Sequence, residues 1–255
     1  DAQESRGLGD VYKRQDQITV GAGAKQIIGA ALTASLEPGD EVIVCAPYWV
    51  SYPDMVLLND AKPVVVTGPE SQGFKLDAAT LEAAITPRTR WLILNSPSNP
   101  SGAVYSAAEL RALTDVLLRH PQVWILSDEI YAPFCYSGQS HASPVQVEPQ
   151  LIPRTLIVNG MSKSYAMTGW RIGYGAGPGD LIKAMSTVMS QSTSCPSAIS
   201  QVAAQAALEG DQSSVTQMVD IFKARRDLIV RRLNDIPGIS CAMPDGAFYV
   251  YANVQ

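Results

Sequence analysis

Residues 91–131 read WLILNSPSNPSGAVYSAAELRALTDVLLRHPQVWILSDEIY, and the change of period inside that stretch decides the architecture. Positions 91–95 and 123–127 are short runs apolar at successive residues, which predicts strands covered on both faces. Between them, 107–119 spaces its apolar residues for one face of a helix. Strand, helix and strand in that order predict parallel pairing through a crossover. The fold class is therefore α/β, with helices on both sides of a mostly parallel sheet.

The same alternation extends outward. Further strands are expected at 41–45, 63–67, 155–159 and 172–176, and helices at 25–35, 78–84 and 179–191. Beyond Gln191 the pattern turns helical, at 198–209 and 213–234, until Pro237-Gly238 interrupts it. A large domain over 16–235 and the start of a smaller α/β unit over 236–255 are the expected divisions. The closing 246–251, GAFYVY, reads as a strand in need of partners, and the chain is read as truncated there. Residues 1–15, DAQESRGLGDVYKRQ, lack periodicity and read as a non-native leader.

Apolar residues make up 46% of the 255 residues and charged residues 17%, which excludes a disordered chain. The net charge of −5 offers no basic surface to nucleic acid or to an anionic membrane. Absence of a long uncharged apolar run argues against a membrane span, and the opening residues lack a secretory core, so the expected location is the cytoplasm. Cys45, Cys135, Cys195 and Cys241 form no Cys-x-x-Cys pair, and no metal site is expected. The only histidines, His120 and His141, read as surface residues. Gly160-Met161-Ser162-Lys163-Ser164 ends in the wrong residue for a serine hydrolase elbow.

Groups able to do chemistry follow strands, where an open α/β sheet places its ligands. Gly21-Ala22-Gly23-Ala24-Lys25-Gln26 leads into a helix through small residues and suits a phosphate, although taken alone a plain strand-to-helix turn is the commoner explanation. Trp49 follows one strand and is either a stacking platform or a core aromatic. Asn99 lies in the turn NSPSNPSG after another. Asp128 and Glu129 end a third, fit to bind a metal, cap a helix or pair with a protonated heterocycle. Lys163, among Ser, Gly and aromatic residues with Arg171 eight positions on, is unlike a solvated charge face. The basic cluster Lys223, Arg225, Arg226, Arg231 and Arg232 spreads around its helix as a solvated face does.

Taken in order, GAGAKQ (21–26), PGDEVIVCAPYW (38–49), NSPSNPSG (95–102), SDEIY (127–131) and SKSYAMTGWRIGY (162–174) resemble the class I aminotransferases. These are fold-type I pyridoxal-phosphate enzymes, and the bacterial aspartate aminotransferase branch is the nearest in pattern. The resemblance implies a three-layer αβα large domain and a pyridoxal 5′-phosphate cofactor. It also implies transfer of an amino group between an amino acid, aspartate or glutamate by preference, and a 2-oxo acid. By the same resemblance Lys163 forms the Schiff base and moves the substrate proton, and Asp128 faces the pyridine nitrogen. Tyr131 and Asn99 bond the phenolic oxygen, and Asn99 also touches the substrate carboxylate. Trp49 stacks on the ring. Arg171 and the N–H groups of Gly23 and Ala24 hold the phosphate. Lys25 reaches the distal carboxylate of an acidic substrate. A homodimer is implied, as is a carboxylate-clamping Arg for which no candidate lies beyond Arg232. Gly160 departs from the pattern, since many family members carry Ser there. A β-lyase or decarboxylase on the same cofactor residues, or an aminotransferase-like sensor domain of a regulator, are the competing expectations.

Overall fold

Alternation along the strands sends successive side chains to opposite faces of one sheet, and each face builds its own core. The computed structural model describes residues 14–136, 138 and 140–254. The expected leader lies outside these residues except for Arg14 and Gln15. In chain order the elements are β1 (Ile18–Gly21), α1 (Ala24–Ser35), β2 (Glu41–Ala46), α2 (Ser51–Leu57), β3 (Lys62–Thr67) and α3 (Ala78–Ala84). Next come β4 (Thr89–Asn95), α4 (Ala107–Arg119), β5 (Trp124–Asp128), α5 (Pro144–Val147), β6 (Thr155–Gly160) and α6 (Met161–Ser164). The remainder are β7 (Gly173–Ala176), α7 (Gly179–Ser190), α8 (Ala198–Glu209), α9 (Ser213–Asn234), β8 (Ile239–Cys241) and β9 (Ala252–Val254).

One seven-stranded sheet has the order β1-β7-β6-β5-β4-β2-β3. Strands β2 to β6 run parallel, and β7 is antiparallel to both β1 and β6. Val42, Val44, Trp91, Ile93, Leu126, Leu156 and Val158 face α1 and α7, meeting Ile27, Ile28, Leu32, Leu181 and Met185. Their neighbours Ile43, Leu92, Leu94 and Ile125 face the other way, onto Leu81 of α3 and Leu110, Leu113 and Leu117 of α4. Helix α4 starts at a capping box, in which Ser106 Oγ accepts from Glu109 N–H and Glu109 Oε2 accepts from Ser106 N–H at 2.8 Å. The three-layer arrangement expected from the sequence is the observed one.

The expected strand over 246–251 is not formed. Gly246 makes a single bridge to Cys135, and the strand that pairs antiparallel with β8 is β9, starting at Ala252. Phe248 and Tyr249 instead pack against Tyr131 and Phe134 of the large sheet's loops, so contacts with these aromatics override the β-forming composition. Among the described residues no helix is long and apolar enough to cross a membrane.

Core packing on the sheet has a direct consequence for stability. Leu126 is fully buried, whereas Leu58 is 83% exposed. Leu126→Ala is expected to cost about 2–5 kcal/mol in chemical denaturation and Leu58→Ala less than about 0.5 kcal/mol. Equal losses would contradict the two-core arrangement.

Candidate active site

The strand order turns back on itself at β2. The chain steps from β2 outward to β3, then returns to place β4 on the other side of β2. Loops leaving the carboxyl ends of β2 and β4 therefore diverge and open a crevice there. Pro47, Tyr48, Asn95, Ser98 and Asn99 line it. Asp128 ends β5 at the same edge, and Lys163 sits just past the end of β6. Because β7 is antiparallel, its beginning reaches this edge too, bringing Arg171 alongside. Gly173 pairs with both Gly21 and Gly160, which joins the Gly23, Arg171 and Lys163 segments at one place.

The neighbouring carboxylates at the end of β5 separate by strand alternation. Asp128 follows Leu126 onto the α1 and α2 face, where its Oδ2 accepts from Tyr52 O–H at 2.7 Å and its Oδ1 from Ile130 N–H at 3.3 Å. Burial raises its pKa to about 6, against the lowering effect of the Tyr52 and Ile130 hydrogen bonds. No basic side chain pairs with it directly among the described residues. Glu129 points the opposite way and accepts from Ser127 Oγ at 2.9 Å and Ser143 Oγ at 2.6 Å. His141 Nε2 lies 3.0 Å from Glu129 Oε2, close enough to pair but without hydrogen-bond alignment. The expectation that His141 is a surface residue is thus corrected: its side chain is 14% exposed, drawn inward by the Glu129 carboxylate.

Tyr131 follows in the turn after β5. Its hydroxyl stands 2.7 Å from that of Tyr249, burial pushes its pKa up, and nearby Asn99 acts in the opposite sense. Asn99 is itself placed by Asn95, whose Oδ1 accepts from Asn99 N–H at 2.8 Å while its Nδ2 donates to Asp128 O at 3.0 Å. Lys163 Nζ lies 5.9 Å from the Tyr131 ring and 5.7 Å from that of Phe248. Burial and the Arg171 guanidinium lower its pKa, with Asp128 acting in the opposite sense.

Arg171 holds a left-handed backbone (φ 55°), which costs a residue with a Cβ about 1–2 kcal/mol. It donates from Nη1 to Thr168 O at 2.9 Å and from Nη2 to Ala22 O at 3.4 Å. Its guanidinium fills the place where a side chain at residue 23 would begin, so Gly23 (φ 92°) is required by both conformation and space. Gly23 N–H donates to Gly21 O at 2.8 Å. The N–H groups of Ala24 and Lys25, in the first turn of α1, have no partner within the helix, and the Arg171 guanidinium adjoins that turn at Gly23. A Cβ at Gly160 would lie 2.8 Å from Ile172 O, which explains the small residue at that departure from the family pattern.

Trp49 meets Tyr52 edge to face at 5.4 Å, and exposed Lys25 lies 4.8 Å above the Trp49 ring. The sequence-predicted residues thus form a continuous chain of neighbours: Lys25, Trp49, Asp128 through Tyr52, Tyr131 with Asn99, Lys163, Arg171 and Gly23. Sequence reading missed Tyr52 and Tyr249. Pro53 conceals α2, although proline is tolerated in a first turn. Of the basic cluster, Lys223, Arg225, Arg231 and Arg232 are exposed, as a solvated face requires, whereas Arg226 lies 4.7 Å over the Tyr136 ring and donates to Pro244 O at 2.9 Å.

The family model described as "Aminotransferase class I and II" matches residues 7–255. An aspartate aminotransferase of Rhizobium meliloti (strain 1021) is 58% identical over 237 residues, covering 93% of this chain and 58% of that protein. An aspartate/prephenate aminotransferase of Cereibacter sphaeroides is 57% identical over 239 residues, covering 94% and 60%. The crystal structure of the Rhizobium meliloti aspartate aminotransferase superposes with a TM-score of 0.95 at 56% identity, covering 98% of this chain and 62% of that one. The chain therefore spans about three fifths of the length of these relatives.

The Asp128 environment sets a pH dependence. Its pKa is higher folded than unfolded (about 6 against 3.8), so the penalty for burying its charge is absent below the unfolded value and complete above the folded one. Asp128→Asn is expected to stabilise the unliganded protein at about pH 7.5 by on the order of 2–3 kcal/mol, with little gain at about pH 4. Thermal unfolding at the two pH values checks this, and a gain independent of pH would contradict it.

Proposed function

The chain belongs to the class I and II aminotransferase family, and from that premise we propose that it exchanges an amino group between an amino acid and a 2-oxo acid. Membership implies a pyridoxal phosphate cofactor, and the residues present fit one. A buried carboxylate with no direct basic partner suits a protonated ring nitrogen. First-turn amides beside a guanidinium suit a phosphate, and a partly buried amine suits an aldehyde. The observation that carries the reading is the Asp128 carboxylate at the crevice edge, held by Tyr52 and coupled to Lys163.

When bound, the cofactor supplies an aldehyde that captures amines and a ring that draws electron density from the substrate Cα. Asp128 would accept from the ring N–H and keep it protonated. Tyr131 and Asn99 would donate to the phenolic oxygen, and Asn99 would also donate to the substrate carboxylate. Trp49 would cover the ring. Arg171 and Ala24 N–H would hold the phosphate, with Gly23 giving the guanidinium its room. Lys163 serves as the proton carrier at Cα, a task aided by the downward shift of its pKa towards neutrality.

Lys25 selects the substrate. Its ammonium at the mouth of the crevice, resting on Trp49, favours a second carboxylate, so aspartate and glutamate are the expected donors. The names of the Rhizobium and Cereibacter relatives support aspartate. We read residues 16–235 as the cofactor-binding unit, with a smaller unit from 236 on. The working form is a homodimer, for which exposed Ile199 and Val202 supply apolar surface. The free thiols of Cys45, Cys135, Cys195 and Cys241 suit a cytoplasmic setting.

Half-reactions with single amino acids test the function. Aspartate is expected to convert the bound cofactor to its amine form and yield the matching 2-oxo acid. Elimination or carbon dioxide release without the amine form would contradict transamination. Lys25→Ala is expected to lower kcat/KM for aspartate by about 10- to 100-fold and to leave that for alanine nearly unchanged. Equal losses for both would remove Lys25 from substrate selection.

A further inference from the structure

The segment 244–249 is fastened between two loops of the crevice. Gly246 N–H donates to Gly102 O at 2.9 Å, next to the turn that carries Asn99. Ala247 N–H donates to Phe134 O at 2.9 Å, and Tyr136 N–H to Asp245 O at 2.8 Å, just past Tyr131. Tyr136 O–H adds a bond to Ala247 O. A Cβ at Gly246 would lie 2.6 Å from Phe134 O and 2.8 Å from Pro97 Cβ, so only glycine allows this approach. Ala247, fully buried, adopts a left-handed backbone (φ 55°) that costs about 1–2 kcal/mol and is held by these flanking bonds.

That turn directs two aromatic side chains at Tyr131. Phe248 and Tyr249 meet its ring at 5.2 and 5.6 Å, both nearly perpendicular. Phe248 also stacks on Phe222 of α9 at 5.0 Å, which fixes the segment from behind. The hydroxyls of Tyr131 and Tyr249 then stand 2.7 Å apart, a full hydrogen bond that the ring packing gives little freedom to break.

We propose that Tyr249 is a positioning residue of the site: its hydroxyl donates to the Tyr131 oxygen and so turns the Tyr131 proton outward, toward the ligand's phenolic oxygen. A hydroxyl has two lone pairs and one proton. With Tyr249 as donor the Tyr131 oxygen accepts on one side, which leaves its own proton as the group still to be placed. Donation into the oxygen also polarises that O–H and makes it the stronger donor. This rests on the reading of the crevice as a pyridoxal phosphate site. The other groups facing Tyr131 are Asp128 from β5, Lys163 from α6 and Tyr52 from α2. Removing one neutral hydroxyl leaves all of their charges in place.

The test is the pH dependence of the visible absorbance of the chain saturated with pyridoxal phosphate, in wild type, Tyr249→Phe, Tyr131→Phe and the double variant. Phenylalanine keeps the ring contacts, so the packing at 248–249 is retained. Weaker donation to the phenolic oxygen makes its deprotonated form less favourable, so Tyr249→Phe is expected to raise the midpoint by about half to one pH unit. In the Tyr131→Phe background the same change is expected to add nothing. An unchanged midpoint in Tyr249→Phe, or an equal shift with and without the Tyr131 hydroxyl, would overturn the positioning role while leaving the cofactor reading intact. If Tyr131→Phe itself has no effect, the assignment of Tyr131 as the ligand's donor falls, and this inference falls with it.

Discussion

Burial of the Asp128 carboxylate is the constraint around which the crevice is built. A carboxylate removed from water is tolerated only when donors and a nearby positive charge compensate it. Here Tyr52 from α2 and the Ile130 N–H supply the donors, and Lys163 supplies the charge. Each comes from a different element, so Asp128 ties β5, α2 and α6 into one arrangement. The compensation is incomplete, as the rise of its pKa to about 6 shows. A cationic ring nitrogen placed against this carboxylate would complete it, which is how an energetic deficit in the unliganded protein becomes affinity for the ligand.

Small residues set the spacing around that carboxylate. Gly173 lies between Gly21 and Gly160 in the sheet, and a side chain there would collide with the Gly23–Ala24 peptide. The absence of side chains lets the first turn of α1, the Arg171 guanidinium and the Lys163 segment converge without separating the strands. The antiparallel course of β7 matters equally. Run parallel, its start would lie at the opposite edge of the sheet, and Arg171 would be remote from Gly23.

Much of this was legible in the residues because strands apolar on both faces have one solution, a sheet between two helical layers. The motif residues were legible because they follow strands whose carboxyl ends share an edge. What escaped depends on contacts distant in sequence. Pro53 hid α2 and with it Tyr52. The roles of Asp128 and Glu129 diverge only when strand alternation places one toward Tyr52 and the other toward Ser143 and His141. The stretch 246–251 has strand composition, yet Phe248 and Tyr249 find partners on Tyr131, Phe134 and Phe222, and the ladder begins only at Ala252. Local preference yields there to aromatic packing that no period reveals.

The most direct measurement is chemical: load the chain with pyridoxal phosphate, reduce it with borohydride and map the modified peptide. A crevice organised around Asp128 and Lys163 requires the label on the peptide containing Ser162-Lys163-Ser164, with labelling greatly reduced by Asp128→Ala at limiting cofactor. A label on Lys25 or any other lysine, or labelling indifferent to Asp128, would contradict it.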